Sequence, residues 1–470
     1  MTPWNGSGDS SHCCNSLWKM SQKKLFLVLV AVTTISFLLH HGGHLSWTLE
    51  AFRMGCSSMR SSLPSVDGVS TSSRGRPKHT SVAFLKTHKT ASTTVQNMLF
   101  RFAERNNLTV GLPITACDHQ FCYPRLFSRN FVHPHTTPPD IVTSHMRFSH
   151  SEVRRFMPNN TIYITILREP GAMFESLFSY YNQYCQSFRR VPNGSLETFL
   201  DHPWMYYRQE ENDSMYARNT LTFDLGGDKD RLPVNAAAYA KRFAAKVERV
   251  FSLVMISEHF DESLVLLRRL LSWDLEDVLY VKLNMRTASS KNRLSAELRG
   301  KIRAWNAIDT ALYDHFNTSL WRQLKMLGLA CVAREVQLLR HARDQLVRGC
   351  FGGRLPQLRS ASQIVNKDLR PWQPSSKVSI VGYDLPTNTS IKGSGLQQDM
   401  CMRMILPEVQ YTRLLLRSQS VRYRSRLLHR HAQHTPRPRG SQRERIAMNP
   451  EVRHLGKQGK SPKGTLRVSQ

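Results

Sequence analysis

With 40% hydrophobic and 21% charged residues, the 470-residue chain is an ordinary globular mixture with room for a large core and one or two domains. Its formal net charge of +30 is not ordinary, but fifteen Lys/Arg against two acidic residues fall within 411–470, so close to half of the excess belongs to one C-terminal tail. That tail lacks the interleaved aromatics of a nucleic-acid binder; it is expected to be disordered, lying on anionic lipid or polyanionic glycans or simply solvated.

Taken from the start, residues 25–39 (LFLVLVAVTTISFLL) are apolar and uncharged and follow Lys19, Lys23 and Lys24. The basic flank places the N-terminal side in the cytosol, and no small-residue cleavage site follows, so the stretch is read as a signal anchor over 25–45 rather than a cleaved signal peptide. Residues 1–24 are then a cytoplasmic tail, and Ser/Gly/Arg/Pro-rich 46–79 a lumenal stem. Two features agree with a type II membrane protein whose bulk is lumenal. Sequons stand at Asn107, Asn159, Asn193, Asn212, Asn317 and Asn388 as candidate glycosylation sites, and seven cysteines follow the anchor. Cysteine spacing suits no zinc site, so no metal is expected; Cys331 and Cys350 are one way to staple the C-terminal helical region.

The globular domain is expected over 80–410 and begins with its most telling stretch, SVAFLKTHKTASTTVQNMLFR. Val82, Phe84 and Leu85 suit one buried strand; Val95, Met98, Leu99 and Phe102 recur at helical spacing, so a helix begins near Thr93 or Thr94. Between them Lys86, His88, Lys89, Thr90, Ala91, Ser92, Thr93 and Thr94 crowd cations and hydroxyls where backbone N–H groups and the helix dipole favour an anion. The plainer alternative is a helix merely capped by Ser/Thr. A nucleoside-triphosphate loop is excluded, because no glycine lies between Ser81 and Val110. Residues 140–144 suggest a second strand, ending at His145. Residues 161–167 (TIYITIL) suggest a buried parallel strand, ending at Arg168 and followed by a helix that carries Ser176. A strand-end Arg beside a helical hydroxyl is a plausible phosphate clamp, although an Arg paired with Glu169 would look the same.

Taken together, Lys89–Thr94 and the Arg168/Ser176 pair resemble the two nucleotide-binding elements of sulfotransferases. FLKTHKTAS, SHMRF, FSYY, EHFDESLVLL, WDLEDVLYVKLN, AWNAID, LYDHFN and RPWQP resemble the galactose 3-O-sulfotransferases across about 82–410, with WDLEDVLYVKLN, PWQP and VGYDL most like galactosylceramide sulfotransferase. The resemblance implies an α/β, P-loop-like three-layer sulfotransferase fold with a central parallel sheet. It implies 3′-phosphoadenosine 5′-phosphosulfate as donor, the 5′ end on Lys86 and Lys89–Thr94 and the 3′-phosphate on Arg168 and Ser176. It also implies transfer to the 3-hydroxyl of a terminal galactose, foremost of galactosylceramide to make sulfatide, with a glycoprotein or oligosaccharide acceptor as the alternative. Lys89 would stabilise the leaving oxygens; His145, which matches the strand-end histidine of uronyl 2-O-sulfotransferases, would be the base, with His88 as rival. Arg147 would hold acceptor hydroxyls or pair structurally, and a homodimer stays open.

Further strands are expected at 253–256 and 278–283, a helix at 261–271, a basic loop from Asn284 and Arg286 to Lys291 and Arg293, and two long helices at 295–316 and 320–349. Acceptor walls are expected on variable loops such as 185–218. A metal-dependent glycosyltransferase is the competing enzyme class, through Asp228-Lys229-Asp230, and a glycan-binding protein without activity is the competing non-enzyme.

Overall fold

The first strand, β1 (Val82–Leu85), is buried at all four positions, and it is the middle of a five-stranded sheet. The computed structural model describes residues 77–434, apart from 232, 288–289, 291–292, 375–377 and 387–394. The expected signal anchor and nearly all of the stem lie outside the described residues; among the described residues no helix is long and apolar enough to cross a membrane. Around β1 stand β2 (Val110–Gly111), β3 (Ile141–Ser144), β4 (Ile162–Leu167) and β5 (Leu253–Ile256), in the order β2-β3-β1-β4-β5. Every pairing is parallel, with Leu85 opposite Ser144 on one side and Thr165 on the other. This is the central parallel sheet the sequence called for, and its strands carry the continuous burial that parallel sheets require.

Parallel order puts the C-terminal ends of β1, β3 and β4 side by side, so the residues that follow them (Lys86, His145 and Arg168) share one edge. The chain crosses from β3 over β1 to reach β4, and crevices at such reversals are where open α/β sheets bind ligands.

Besides four short helical segments within 150–206, the helices are α1 (Ser92–Arg105), α2 (Pro170–Tyr181), α3 (Thr220–Asp224), α4 (Pro233–Val250), α5 (Phe260–Leu271), α6 (Ala296–Trp305), α7 (Ala307–Leu327), α8 (Leu329–Cys350), α9 (Gly395–Ile405) and α10 (Glu408–His434). A small antiparallel sheet joins β6 (Met285–Arg286), β7 (Arg359–Ser360) and β8 (Ile380–Gly382) in the order β6-β8-β7. Helix α1 starts one residue before its expected beginning and buries Val95, Met98, Leu99 and Phe102 as their spacing requires.

Several expectations are corrected. The strand expected at 278–283 is a 3₁₀ turn (Leu275–Val278) followed by irregular chain, because the buried Arg101 guanidinium takes the Leu279 carbonyl that a ladder would need. The two helices expected over 295–349 are three. The first break falls at Asn306, whose side chain turns back to the Ile302 carbonyl, and the second at Gly328, where φ is 87°. Cys350 pairs with Cys401 rather than with Cys331, and Cys117 pairs with Cys122. Of the sequons, Asn107, Asn159, Asn193 and Asn212 are exposed, Asn317 is half-buried within α7, and Asn388 lies outside the described residues.

The expected boundary at 410 also moves. The chain forms one unit up to Tyr423; from Arg424 a second unit begins, of which 424–434, the last turns of α10, are described. Tyr411 and Leu415 are 1% and 2% exposed, the Tyr411 hydroxyl donates to Glu104 on α1, and the Gln419 side chain bonds both the N–H and the carbonyl of Val110. Arg-rich composition hid this helix because only one narrow stripe of it is apolar. Burying a Tyr and a Leu contributes roughly 2–5 kcal/mol each, comparable together to the whole stability of a domain. Truncation after Gln410 is therefore expected to abolish cooperative thermal unfolding, whereas truncation after His434 leaves the melting temperature within a few degrees; circular dichroism melts of the two secreted forms check this.

Candidate active site

Beyond Leu85 the backbone leaves the sheet through a loop with Lys89 at φ 58° and Ala91 at φ 67°, a left-handed conformation that costs a non-glycine residue about 1–2 kcal/mol. Strain of this kind persists where surrounding bonds enforce it. Thr90 Oγ1 lies 2.8 Å from Thr87 Oγ1, Ser92 Oγ donates to the Thr87 carbonyl (2.6 Å), and Thr87 Oγ1 donates to the Ile166 carbonyl on β4. Ala91, the residue before α1, provides no side-chain cap, so the loop hydroxyls brace the turn rather than cap the helix.

Every residue the sequence singled out for nucleotide binding or catalysis lines one cleft of about 610 Å³: Lys86, His88, Lys89, Thr90, Ala91, Ser92, Thr93, Thr94, His145, Arg168 and Ser176. Arg168 reaches back across the edge, its guanidinium donating to the Lys89 carbonyl (2.9 Å), so the two halves are joined directly. Glu169, the alternative partner for Arg168, is taken by Arg299 and Arg303 and caps α2 through the Ala172 N–H. Arg286, at the start of the expected basic loop, enters the same cleft in a buried ion pair with Glu175; Lys291 lies outside the described residues.

Cations outnumber carboxylates along the cleft wall. Lys89 makes no ion pair among the described residues; its Nζ lies 3.7 Å from the centre of the Tyr180 ring. Burial first, then the charges of Arg286, Arg168 and Lys86, push its pKa down to about 7. A phosphate or phosphosulfate would satisfy what this arrangement leaves unmet, and the donor that the sequence implied fits it: Lys86 and Lys89 with the loop at one end, Arg168 and Ser176 at the other. Among the described residues no cluster of three or more His, Cys, Asp or Glu is placed to hold a metal ion. Asp228 and Asp230, the candidate metal pair, are engaged by Arg231 (3.3 Å), and by Arg218 (3.6 Å), Lys229 and Tyr207.

The two histidines stack with ring centres 3.9 Å apart but differ in their hydrogen bonds. His145 Nδ1 faces the Lys86 carbonyl (2.9 Å) and its Nε2 lies 2.7 Å from Lys86 Nζ, so the lone pair of the neutral ring accepts from the ammonium. Burial, reinforced by His88 and Lys86, holds the His145 pKa well below the usual value. His88 Nδ1 instead faces both oxygens of Asp224 (2.9 and 3.0 Å), while its Nε2 has no hydrogen-bond partner. With Nδ1–H donated to a carboxylate, Nε2 is the basic nitrogen.

Asp224 escaped sequence reasoning, and its position is elaborately built. It is fully buried at the end of α3 and also accepts from the His88 N–H (2.9 Å) and the Tyr123 hydroxyl (2.8 Å). Two residues on, Gly226 has φ 80°, and a Cβ there would lie 2.1 Å from the Phe148 carbonyl oxygen, so only glycine lets this turn close. The start of α3 is fixed by the AWNAID segment: Asp309 accepts from the N–H groups of Leu221 and Thr222, and the Asn306 side chain accepts from that of Asn219. Only the paired glycines hinted at a tight turn here, and the partner histidine is 136 residues away.

A second cleft of about 450 Å³ shares Thr93, His119, Gln120, Tyr180, Tyr181 and Glu408 with the first and continues past Tyr184, Tyr216 and Trp372. Of the expected acceptor segment 185–218 only Tyr216 reaches either cleft. Phe188, Leu196 and Phe199 of that segment turn inward onto Phe174 and Phe178 and form a core of their own. Arg147 points away, its guanidinium over the Phe223 ring at 4.3 Å.

Comparison with known proteins agrees with this geometry. Residues 11–419 match the family described as Galactose-3-O-sulfotransferase. Galactose-3-O-sulfotransferase 3 of Homo sapiens is 56% identical over 404 residues, 86% of this chain and 90% of that protein. Galactosylceramide sulfotransferase of Homo sapiens is 42% identical over 333 residues (70% and 76%), and Galactose-3-O-sulfotransferase 2 of Homo sapiens 42% over 341 residues (71% and 82%). The expected narrowing to the galactosylceramide enzyme is thus not favoured by identity. The chain belongs to the galactose-3-O-sulfotransferase family.

Proposed function

We propose that this enzyme transfers a sulfuryl group from 3′-phosphoadenosine 5′-phosphosulfate to the 3-hydroxyl of a terminal galactose on a glycan, with His88 as base and Asp224 holding it. The observation that carries the assignment is the Asp224–His88 pair with a bare Nε2, lying beside a half-buried Lys89 that has no ion pair among the described residues, in a cleft that fits the donor. The order expected of the two histidines is thereby reversed, since the lone pair of His145 is already occupied by Lys86.

The transfer is an in-line displacement: a bond forms between the galactose oxygen and sulfur, and the bond from sulfur to the 5′-phosphate oxygen breaks with its electron pair. His88 Nε2 takes the hydroxyl proton, and Asp224 favours the imidazolium that results. Lys89 and Lys86 stabilise charge that grows on the departing phosphate, and the N–H groups at the start of α1 act in the same sense. His145 works through Lys86, fixing its ammonium by accepting one of three N–H donors.

An oligosaccharide or glycoprotein acceptor is favoured because the relative of 56% identity is named for galactose alone. A galactosylceramide acceptor is the second reading, supported by the relative of 42% identity that is named for that lipid. Placement in the Golgi membrane as a type II protein is supported by the apolar stretch 25–39 with its basic flank and by the exposed sequons. The test is incubation of the secreted protein with labelled phosphosulfate donor and, separately, a galactose-terminated oligosaccharide and galactosylceramide. Label on the oligosaccharide galactose is expected; label on the lipid alone transfers the assignment to the second reading, and label on neither overturns it.

Asp224→Asn is expected to lower kcat by roughly 10²–10⁴-fold, because the amide no longer secures the imidazole tautomer or stabilises its charged form. Donor binding should persist, which calorimetry with adenosine 3′,5′-bisphosphate checks. Lys89 provides a pH signature. Free, it loses its proton near pH 7; the anion raises that pKa, so the complex holds more protons than the free enzyme above pH 7. Affinity for the bisphosphate is therefore expected to be full below about pH 7 and to weaken by up to about tenfold per pH unit above it, with proton uptake on binding. Lys89→Arg, which keeps its charge, should flatten the profile.

A further inference from the structure

We propose that Glu408, with the aromatic wall formed by Trp372, Tyr180 and Tyr184, is the acceptor subsite: its carboxylate accepts hydrogen bonds from a galactose hydroxyl adjacent to the reacting 3-hydroxyl, and the wall stacks on the sugar ring. The inference rests on the sulfotransferase function and specifies how its acceptor is held. Glu408 enters from the first turn of α10, far in sequence from the nucleotide loop, and lines both clefts at their junction. Its Oε2 is paired with Lys86 Nζ at 2.9 Å, while its Oε1 is buried and has no hydrogen-bond partner.

Glu408 neutralises Lys86 through Oε2 alone, and a buried acceptor such as Oε1 left without a donor costs about 1–3 kcal/mol. A neutral polyol supplies the missing donor: a vicinal hydroxyl reaches Oε1 while the neighbouring hydroxyl faces the donor cleft. The wall beside it suits the apolar face of a sugar ring. Trp372 is 53% exposed, lies 5.9 Å from the Tyr180 ring and 6.2 Å from that of Tyr184, and belongs to the RPWQP segment, which the donor site leaves unused. Tyr180 also lies under Lys89, so one ring borders both substrates.

The experiment measures sulfate transfer by the full lumenal protein to methyl β-galactoside and its 2-deoxy and 4-deoxy analogues, for wild type, Glu408→Gln and Trp372→Ala. Wild type should lose about 10²-fold or more in kcat/KM with one of the deoxy analogues. Glu408→Gln should raise acceptor KM about 10–100-fold and shrink that deoxy penalty to a few-fold, while the Kd for adenosine 3′,5′-bisphosphate, facing a Lys86 that has lost its counter-charge, does not rise. Trp372→Ala should raise acceptor KM about three- to tenfold and leave the deoxy penalty intact. A wild type indifferent to both deletions, or a folded Glu408→Gln variant with unchanged acceptor KM or an unchanged deoxy penalty, overturns the inference while leaving the function standing. A wild type that sulfates no galactoside overturns both. Should Glu408→Gln fail to bind the bisphosphate or to melt cooperatively, the wild-type deoxy series and Trp372→Ala decide.

Discussion

The site depends on holding one cation, without a counter-charge among the described residues, on the wall of a cleft already crowded with positive charge. Lys89 is half-buried with Arg168, Arg286 and Lys86 around it, and desolvation together with mutual repulsion makes its charged form unfavourable. What makes the arrangement tolerable is geometric. The two neighbouring charges that can be neutralised are, Arg286 by Glu175 and Lys86 by Glu408, while Lys89 itself meets only a tyrosine face. The cleft is thus prepared for an anion before one arrives, with the donors already oriented and little reorganisation left for the reaction. A parallel sheet makes this possible at small cost in chain length, because β1, β3 and β4 deliver Lys86, His145 and Arg168 to one edge.

Two stacked histidines, alike in burial, acquire different chemistry from their partners. Lys86 occupies the lone pair of one; Asp224 occupies the N–H of the other and leaves its lone pair bare. That division is maintained from a distance. Asp309 and Asn306 fix the start of α3, Gly226 permits the turn after it, and Asp224 is held between them. Little solvent reaches this support: Asp309 is fully buried, and that burial pushes its pKa up to about 7.

Much of this was legible in the sequence because it is local. The strand, loop and helix of 82–105 each declare themselves by periodicity, and the buried strand 162–167 by its β-branched run ending at Arg168. The eleven candidate residues meet in one cleft because strand ends and helix starts are places where local pattern predicts direction. What was hidden is non-local. Asp224 and Glu408 are single carboxylates on short or Arg-rich elements, and only the tertiary fold shows that they face His88 and Lys86. The strand misread at 278–283 failed for a related reason: a side chain from α1 claimed the backbone carbonyl on which strand pairing would rely. From residue 411 on, helix α10 reads as tail in the sequence because its charge outweighs its apolar stripe, although Tyr411 and Leu415 are as buried as the sheet.

Chemical rescue tests the division of labour between the histidines most directly. Replacing His88 by glycine leaves a buried space beside Asp224 of about the size of an imidazole. Added imidazole is predicted to restore sulfate transfer to His88→Gly in a concentration-dependent manner, with a pH profile that follows the added base, and to leave His145→Gly unrescued. Rescue of His145→Gly alone would contradict the account and return the base to the end of β3.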